Sequence, residues 1–113
     1  MATNYNRGAN FERDVRKYLQ KRGYPCWRVA GSKGEGSVDL VAYDVTERRL
    51  LLIQAKVDGR ASNAEMDALF SIAARTGAHP LIAYRDRGVK FVRVGPDHQK
   101  YKWEAEKDGN NVR

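Results

Sequence analysis

The sequence predicts an α/β fold, a central mixed β-sheet flanked by helices in the order α-β-β-β-α-β-β. Apolar residues recur at helical spacing in two segments, one near the start and one after Ser62. Between and beyond them lie short apolar runs of strand length, each bounded by Gly, Asp or Pro. The alternation of the two patterns is that of helices packed on a sheet.

The first helix is expected over 8–22, where Phe11, Val15, Tyr18 and Leu19 form one apolar stripe and Gly23 supplies the stop. Residues 24–30 read as a strand with Pro25 at its start. A loop with three glycines follows at 31–37, open to close approach by a ligand. Strands are expected at 38–43 and 50–57, paired across a turn at 44–49. The second is apolar on both faces over 50–53 and is therefore expected to be central. Ser62 and Glu65 have the spacing of a capping box, and Met66, Leu69, Phe70 and Ala73 continue that helix to Gly77. Residues 80–84 and 89–94 read as two more strands joined by a hairpin turn. The folded unit is taken as 1–94. Residues 95–113 are expected to form a charged, flexible tail, with a short helical turn near 101–107 and no assigned contact for Trp103.

A chain of 113 residues, 42% hydrophobic, can bury a modest core without staples. No apolar run is long enough to span a bilayer. The start has no secretory leader and Cys26 is alone, so a cytoplasmic setting is expected. The net charge is +7. Four basic and four acidic residues cancel in 95–113, so the excess lies on the folded part. A basic domain of this size points to a polyanionic partner, and nucleic acid is the usual one.

The chemistry concentrates in Asp39 and the Gln54-Ala55-Lys56 run. Alternation along a strand turns Gln54 and Lys56 to the same face, and pairing of the two strands brings Asp39 beside them. Mg²⁺ takes oxygen ligands and supports phosphodiester hydrolysis. Asp39 is the anionic candidate ligand, and the Gln54 side chain and Ala55 carbonyl are neutral ones. Lys56 can stabilise transition-state charge or orient water. Glu12 sits on the flank of the first helix's apolar stripe and is a further acidic candidate. Singly, each has an ordinary structural explanation: a turn aspartate, polar residues closing a strand, a first-turn helix acid. No zinc set, P-loop or Ser/His/Asp arrangement is readable.

Four blocks together resemble the archaeal-type Holliday junction resolvases of the PD-(D/E)xK nuclease superfamily. Arg7-Gly-Ala-Asn-Phe-Glu12-Arg13 is similar to that family's Arg-Gly-x-x-x-Glu-Arg opening. Gly23-Tyr-x-x-Trp-Arg28-Val-Ala-Gly-Ser32 is similar to its Gly-aromatic strand leading to Arg and Gly-Ser. Ser37-Val38-Asp39 stands at its Pro-Asp segment, and Gln54-Ala55-Lys56 at its Glu-x-Lys position. The resemblance implies a restriction-endonuclease-like core and paired symmetric nicking of four-way DNA junctions by a homodimer with Mg²⁺, or Mn²⁺ in its place. It also implies a centre of Glu12, Asp39, Gln54 and Lys56, with Ser32 in support. Arg13 and Arg28 would contact phosphates, and Arg7, Lys33 and Arg60 are further candidate nucleic-acid contacts. The second helix, with Met66, Leu69 and Phe70, packs on the sheet or supplies part of the dimer interface.

Two positions depart from the family pattern. Val38 replaces a backbone-shaping proline, which is expected to be harmless. Gln54 replaces glutamate, so the site loses one formal negative charge. Two alternatives to junction resolution follow: a nuclease of the same fold acting on other branched or duplex DNA, and a DNA-binding module whose site has decayed.

Overall fold

A computed structural model describes residues 4–29 and 38–106, with residues 4–7 described by their backbone alone. The Arg7 side chain, Ser32 and Lys33 of the Gly-rich loop, and residues 107–113 therefore lie outside the described residues.

The elements are α1 (Asn4–Lys21), β1 (Cys26–Arg28), β2 (Leu40–Asp44), β3 (Arg49–Ala55), α2 (Asn63–Thr76), β4 (His79–Arg85), β5 (Val89–Val94), a 3₁₀ turn at Pro96–His98, and β6 (Lys100–Trp103). The strands form one sheet in the order β1-β2-β3-β4-β5-β6. Every neighbouring pair is antiparallel except β3 and β4, which run parallel with α2 as the crossover between them.

Each helix covers one face of the sheet. Phe11, Val15 and Leu19 of α1 are buried against Cys26, Leu40, Ala42, Leu51, Ile53, Leu81, Ala83 and Phe91. Met66, Leu69 and Ala73 of α2 are buried against Leu52, Ile82 and Val94 on the other face. Residues 51, 53 and 52 thus divide between the two cores, as period-two alternation requires. That is why β3 is apolar on both faces, and each fully buried leucine or isoleucine there contributes about 1.5–3 kcal/mol.

The first helix begins earlier than its apolar stripe suggests, because the stripe marks only the part that packs. It ends where expected, with Gly23 at φ 84° and Tyr24 N–H donating to the Leu19 carbonyl at 2.9 Å. The capping box of α2 is complete, with Ser62 and Glu65 exchanging their side-chain-to-backbone bonds and Gly77 left-handed at the far end.

The expected tail needs correction. Residues 100–103 form an edge strand on β5 and not a helical turn, and the chain stays packed to residue 106. Lys100-Tyr-Lys-Trp103 alternates with period two, and its aromatic end has a seat in the core. Trp103 meets Phe91 edge-on at 5.2 Å between centroids and Tyr24 at 6.0 Å. The Tyr24 hydroxyl accepts from the Glu106 N–H at 2.9 Å.

Candidate active site

Four elements meet at the C-terminal end of β3. Asp39 immediately precedes β2 and is tied into the sheet on both sides. Its N–H donates to the Ile53 carbonyl at 2.9 Å, and its carbonyl accepts from Val29 N–H at 2.9 Å. Its carboxylate Oδ2 accepts from Ala55 N–H at 2.8 Å, extending the β2–β3 ladder one step beyond the last paired residues. Asp39 is therefore a sheet residue with its side chain fixed at the strand end, not a turn aspartate.

On β3, Gln54 shares the α2 face with Leu52 and is 3% exposed. An amide is far cheaper than a carboxylate to hold in such surroundings. Lys56 follows, anchored by its N–H to the Ala83 carbonyl of β4 at 2.8 Å. Its ammonium donates to Glu65 Oε2 on the first turn of α2 at 2.7 Å. Glu12 lies eight residues into α1, so the helix dipole at the first turn does not account for an acid there. It follows buried Phe11, which places it at the rim of the sheet, where Arg28 Nε donates to its Oε1 at 3.1 Å.

The electrostatics link Glu12, Asp39, Arg28, Lys56 and Glu65. Burial pushes the Glu12 carboxyl up, the negative charge of Asp39 pushes it further, and the Arg28 bond pulls it down in part. Burial likewise raises Asp39, opposed by the Ala55 N–H, Lys56 and Arg28 and reinforced by Glu65. Glu65 moves the other way, held below the usual carboxylate range by its bond from Lys56 and by the Ser62 N–H. Two partly buried carboxylates, both raised by burial and one raised further by the other's charge, are the kind of pair that a hard cation would relieve. Their oxygens, with the Gln54 amide and Ala55 carbonyl as neutral donors, fit Mg²⁺ or Mn²⁺ in chemistry. Among the described residues no three His, Cys, Asp or Glu side chains group closely enough to hold a metal by themselves.

The other expected contacts divide. Arg28 joins the site through Glu12, and half of its side chain remains exposed. Arg13 is exposed and bonds Asn10 on its own helix at 3.1 Å. Arg60 is exposed on the connection between Lys56 and α2, where its N–H donates to Asp58. Met66 and Leu69 are core residues of the α2 face, which leaves only Phe70 of that trio partly exposed. Sequence reasoning missed Glu65, because the capping box accounted for it fully. Its signal was position: an acid in the first turn of the helix that crosses over from the Lys56 strand.

The chain as a whole is similar to known proteins. The family model described as archaeal Holliday junction resolvase covers residues 3–110. The crossover junction endodeoxyribonuclease Hjc of Methanocaldococcus jannaschii is 30% identical over 92 residues, which are 78% of this chain. The match spans 65% of that relative's length, just under two thirds. The solved structure of Archaeoglobus fulgidus Hjc, described as a Holliday junction resolvase from an archaeal hyperthermophile, aligns with a TM-score of 0.65 at 27% identity. That alignment covers 86% of this chain and 88% of the other. The six-stranded mixed sheet with two helices matches that fold, consistent with the restriction-endonuclease-like core that the sequence implied.

Proposed function

Because this chain belongs to the archaeal Holliday junction resolvase family, we propose that it is a metal-dependent endodeoxyribonuclease that resolves four-way DNA junctions by paired, symmetric nicks. What supports the reading is Asp39 fixed at one sheet end, linked electrostatically to Glu12 and to Lys56 just beyond the strand that carries Gln54.

The groups that would hold the ion are Asp39, Glu12, the Gln54 side-chain oxygen and the Ala55 carbonyl, with Mg²⁺ expected and Mn²⁺ acceptable. Once bound, such an ion polarises a phosphoryl oxygen and makes water acidic enough to attack. The chain's own residues do the rest. The Ala55 N–H fixes the Asp39 carboxylate at the strand end. Lys56, held by its backbone in the β3–β4 ladder, presents an ammonium that stabilises charge developing on the phosphate. Arg28 pairs with Glu12 yet stays half exposed, so it can turn to a DNA phosphate. Arg7, Arg13, Lys33 and Arg60 are proposed as further phosphate contacts, and Ser32 as a supporting residue of the centre.

We further propose a homodimer, since two sites related by a two-fold axis suit a junction of approximate two-fold symmetry. Trp27, 56% exposed on edge strand β1, supports such an interface. Among the described residues no helix is long and apolar enough to cross a membrane. A cytoplasmic setting is part of this reading.

The test is incubation with a synthetic four-way junction and a matching duplex, in Mg²⁺, Mn²⁺ or EDTA. Paired nicks on the junction alone, and only with metal, are expected. Cutting of the duplex or of flaps instead would favour a same-fold nuclease of other specificity. Junction binding with no cutting in either metal would identify a binding module with a decayed site.

A further inference from the structure

Position 54 carries no charge, and the structure shows where a replacement comes from. Glu12 and Asp39 are opposed by Lys56 and Arg28, so these four sum to zero formal charge. A site with no net charge attracts a divalent cation weakly. Glu65 brings the sum to minus one, the value that a glutamate at position 54 would give without it. Its placement is specific. The connection after Lys56 sets the first turn of α2 at the end of β3, and Glu65 Oε2 meets the Lys56 ammonium at 2.7 Å while Oε1 accepts the Ser62 N–H at 2.8 Å. Both groups are largely shielded, with side chains 29% and 21% exposed. The pair is therefore less screened than a surface ion pair.

We propose that Glu65 is a positioning residue of this site, fixing the Lys56 ammonium and supplying the negative charge that Gln54 lacks. The inference rests on the nuclease reading above and deepens it. Glu65 does not join Glu12 and Asp39 as a ligand cluster, so it acts through Lys56 and through the field. The bond from Lys56 holds its carboxyl below the usual carboxylate range, which favours the charged form. The capping box and the ion pair use different oxygens of the one side chain, which lets a single residue set the helix start and the lysine together.

The test variant is Glu65→Gln, which retains an oxygen for the Ser62 N–H and removes only the charge. Mg²⁺ and Mn²⁺ affinity, measured by calorimetry on the full chain without DNA, is expected to fall about tenfold, the scale of one unit charge across a partly hydrated site. Single-turnover junction cutting is expected to fall similarly, with junction affinity in EDTA unchanged. The double variant Gln54→Glu with Glu65→Gln returns the charge at the other position and should recover metal affinity. Unchanged metal affinity in Glu65→Gln, or no recovery in the double variant, overturns the proposal. A lowered melting temperature that the double variant shares, without a change in metal affinity, would reduce Glu65 to its cap and overturn it too. A wild-type chain that binds metal in this Glu65-dependent way yet cuts no junction would overturn the resolvase reading while supporting this one.

Discussion

Two aspartates bracket β2, and they are used in opposite ways. Asp44 closes the strand at the β2–β3 turn, is 4% exposed, and accepts the N–H groups of Thr46 and Glu47 at 3.0 and 3.1 Å. Around it, Arg49 donates to the Gly77 carbonyl and Glu47 pairs with His79. Charge at that end satisfies backbone and partners, so it supports the fold. Asp39 stands at the other end, accepts one N–H, and lies within reach of Glu12, which its charge opposes. Burial there opposes ionisation of the carboxyl, which costs the fold. Under the proposed function, the same residue type at two ends of one strand would separate structure from chemistry.

The sharpest way to break this contrast is to neutralise each aspartate. Asp39→Asn retains an oxygen for Ala55 N–H and relieves Glu12. It should abolish junction cutting, a loss of about 10³-fold or more where electrostatic positioning dominates the rate, while the metal-free melting temperature holds or rises. Asp44→Ala leaves two turn N–H groups without their acceptor and should cost about 1–3 kcal/mol in denaturant unfolding, with cutting per folded molecule unchanged. If Asp44→Ala proves the inactive variant and Asp39→Asn the unstable one, the assignment of the two ends is reversed.

A smaller effect sharpens the functional end alone. Gln54→Glu places a third acid in a buried position near two that already resist ionisation. Metal-free unfolding should become easier by about 1–3 kcal/mol, the scale for burying a poorly compensated polar or charged group. Added Mg²⁺ should restore more stability to this variant than to the wild type, by mass action on a tighter site. Thermal melts with and without metal read both changes, and a variant equally stable in both conditions would show that position 54 does not face the ion.

Much of this was legible in the chain. Periodicity located both helices and the first five strands, because each carries a clear apolar pattern over the part that packs. Asp39, Gln54 and Lys56 were legible as candidates because alternation and strand pairing constrain where they point, and Glu12 because it flanks the apolar stripe of α1. The failures have physical reasons. β6 was hidden because its period-two alternation runs for only four residues and, of its two aromatics, only Trp103 reaches the core. Glu65 was hidden because one local interaction explained it, and its second, to Lys56, depends on how α2 crosses over β3.

The smallest expected effect is in pH, and it follows from the sign of the shifts. Asp39 and Glu12 titrate above their ordinary range in the folded chain. As pH rises from the ordinary carboxylate value through the raised one, the folded state holds more protons than the unfolded state, so stability falls across that window. Glu65 is lowered and has the opposite slope, its contribution being lost as pH drops through its folded value. The Asp39 and Glu12 windows lie above their ordinary values and the Glu65 window below its own. In metal-free buffer, Asp39→Asn should therefore gain stability relative to wild type as pH climbs above the ordinary aspartate value. The gain should vanish when Mg²⁺ is added, because the ion favours the ionised wild-type site. Asp44→Ala, removed from the coupled pair, should show no such metal-sensitive rise. A parallel pH profile for the two variants would mean that the field at the Asp39 end is no different from that at the turn.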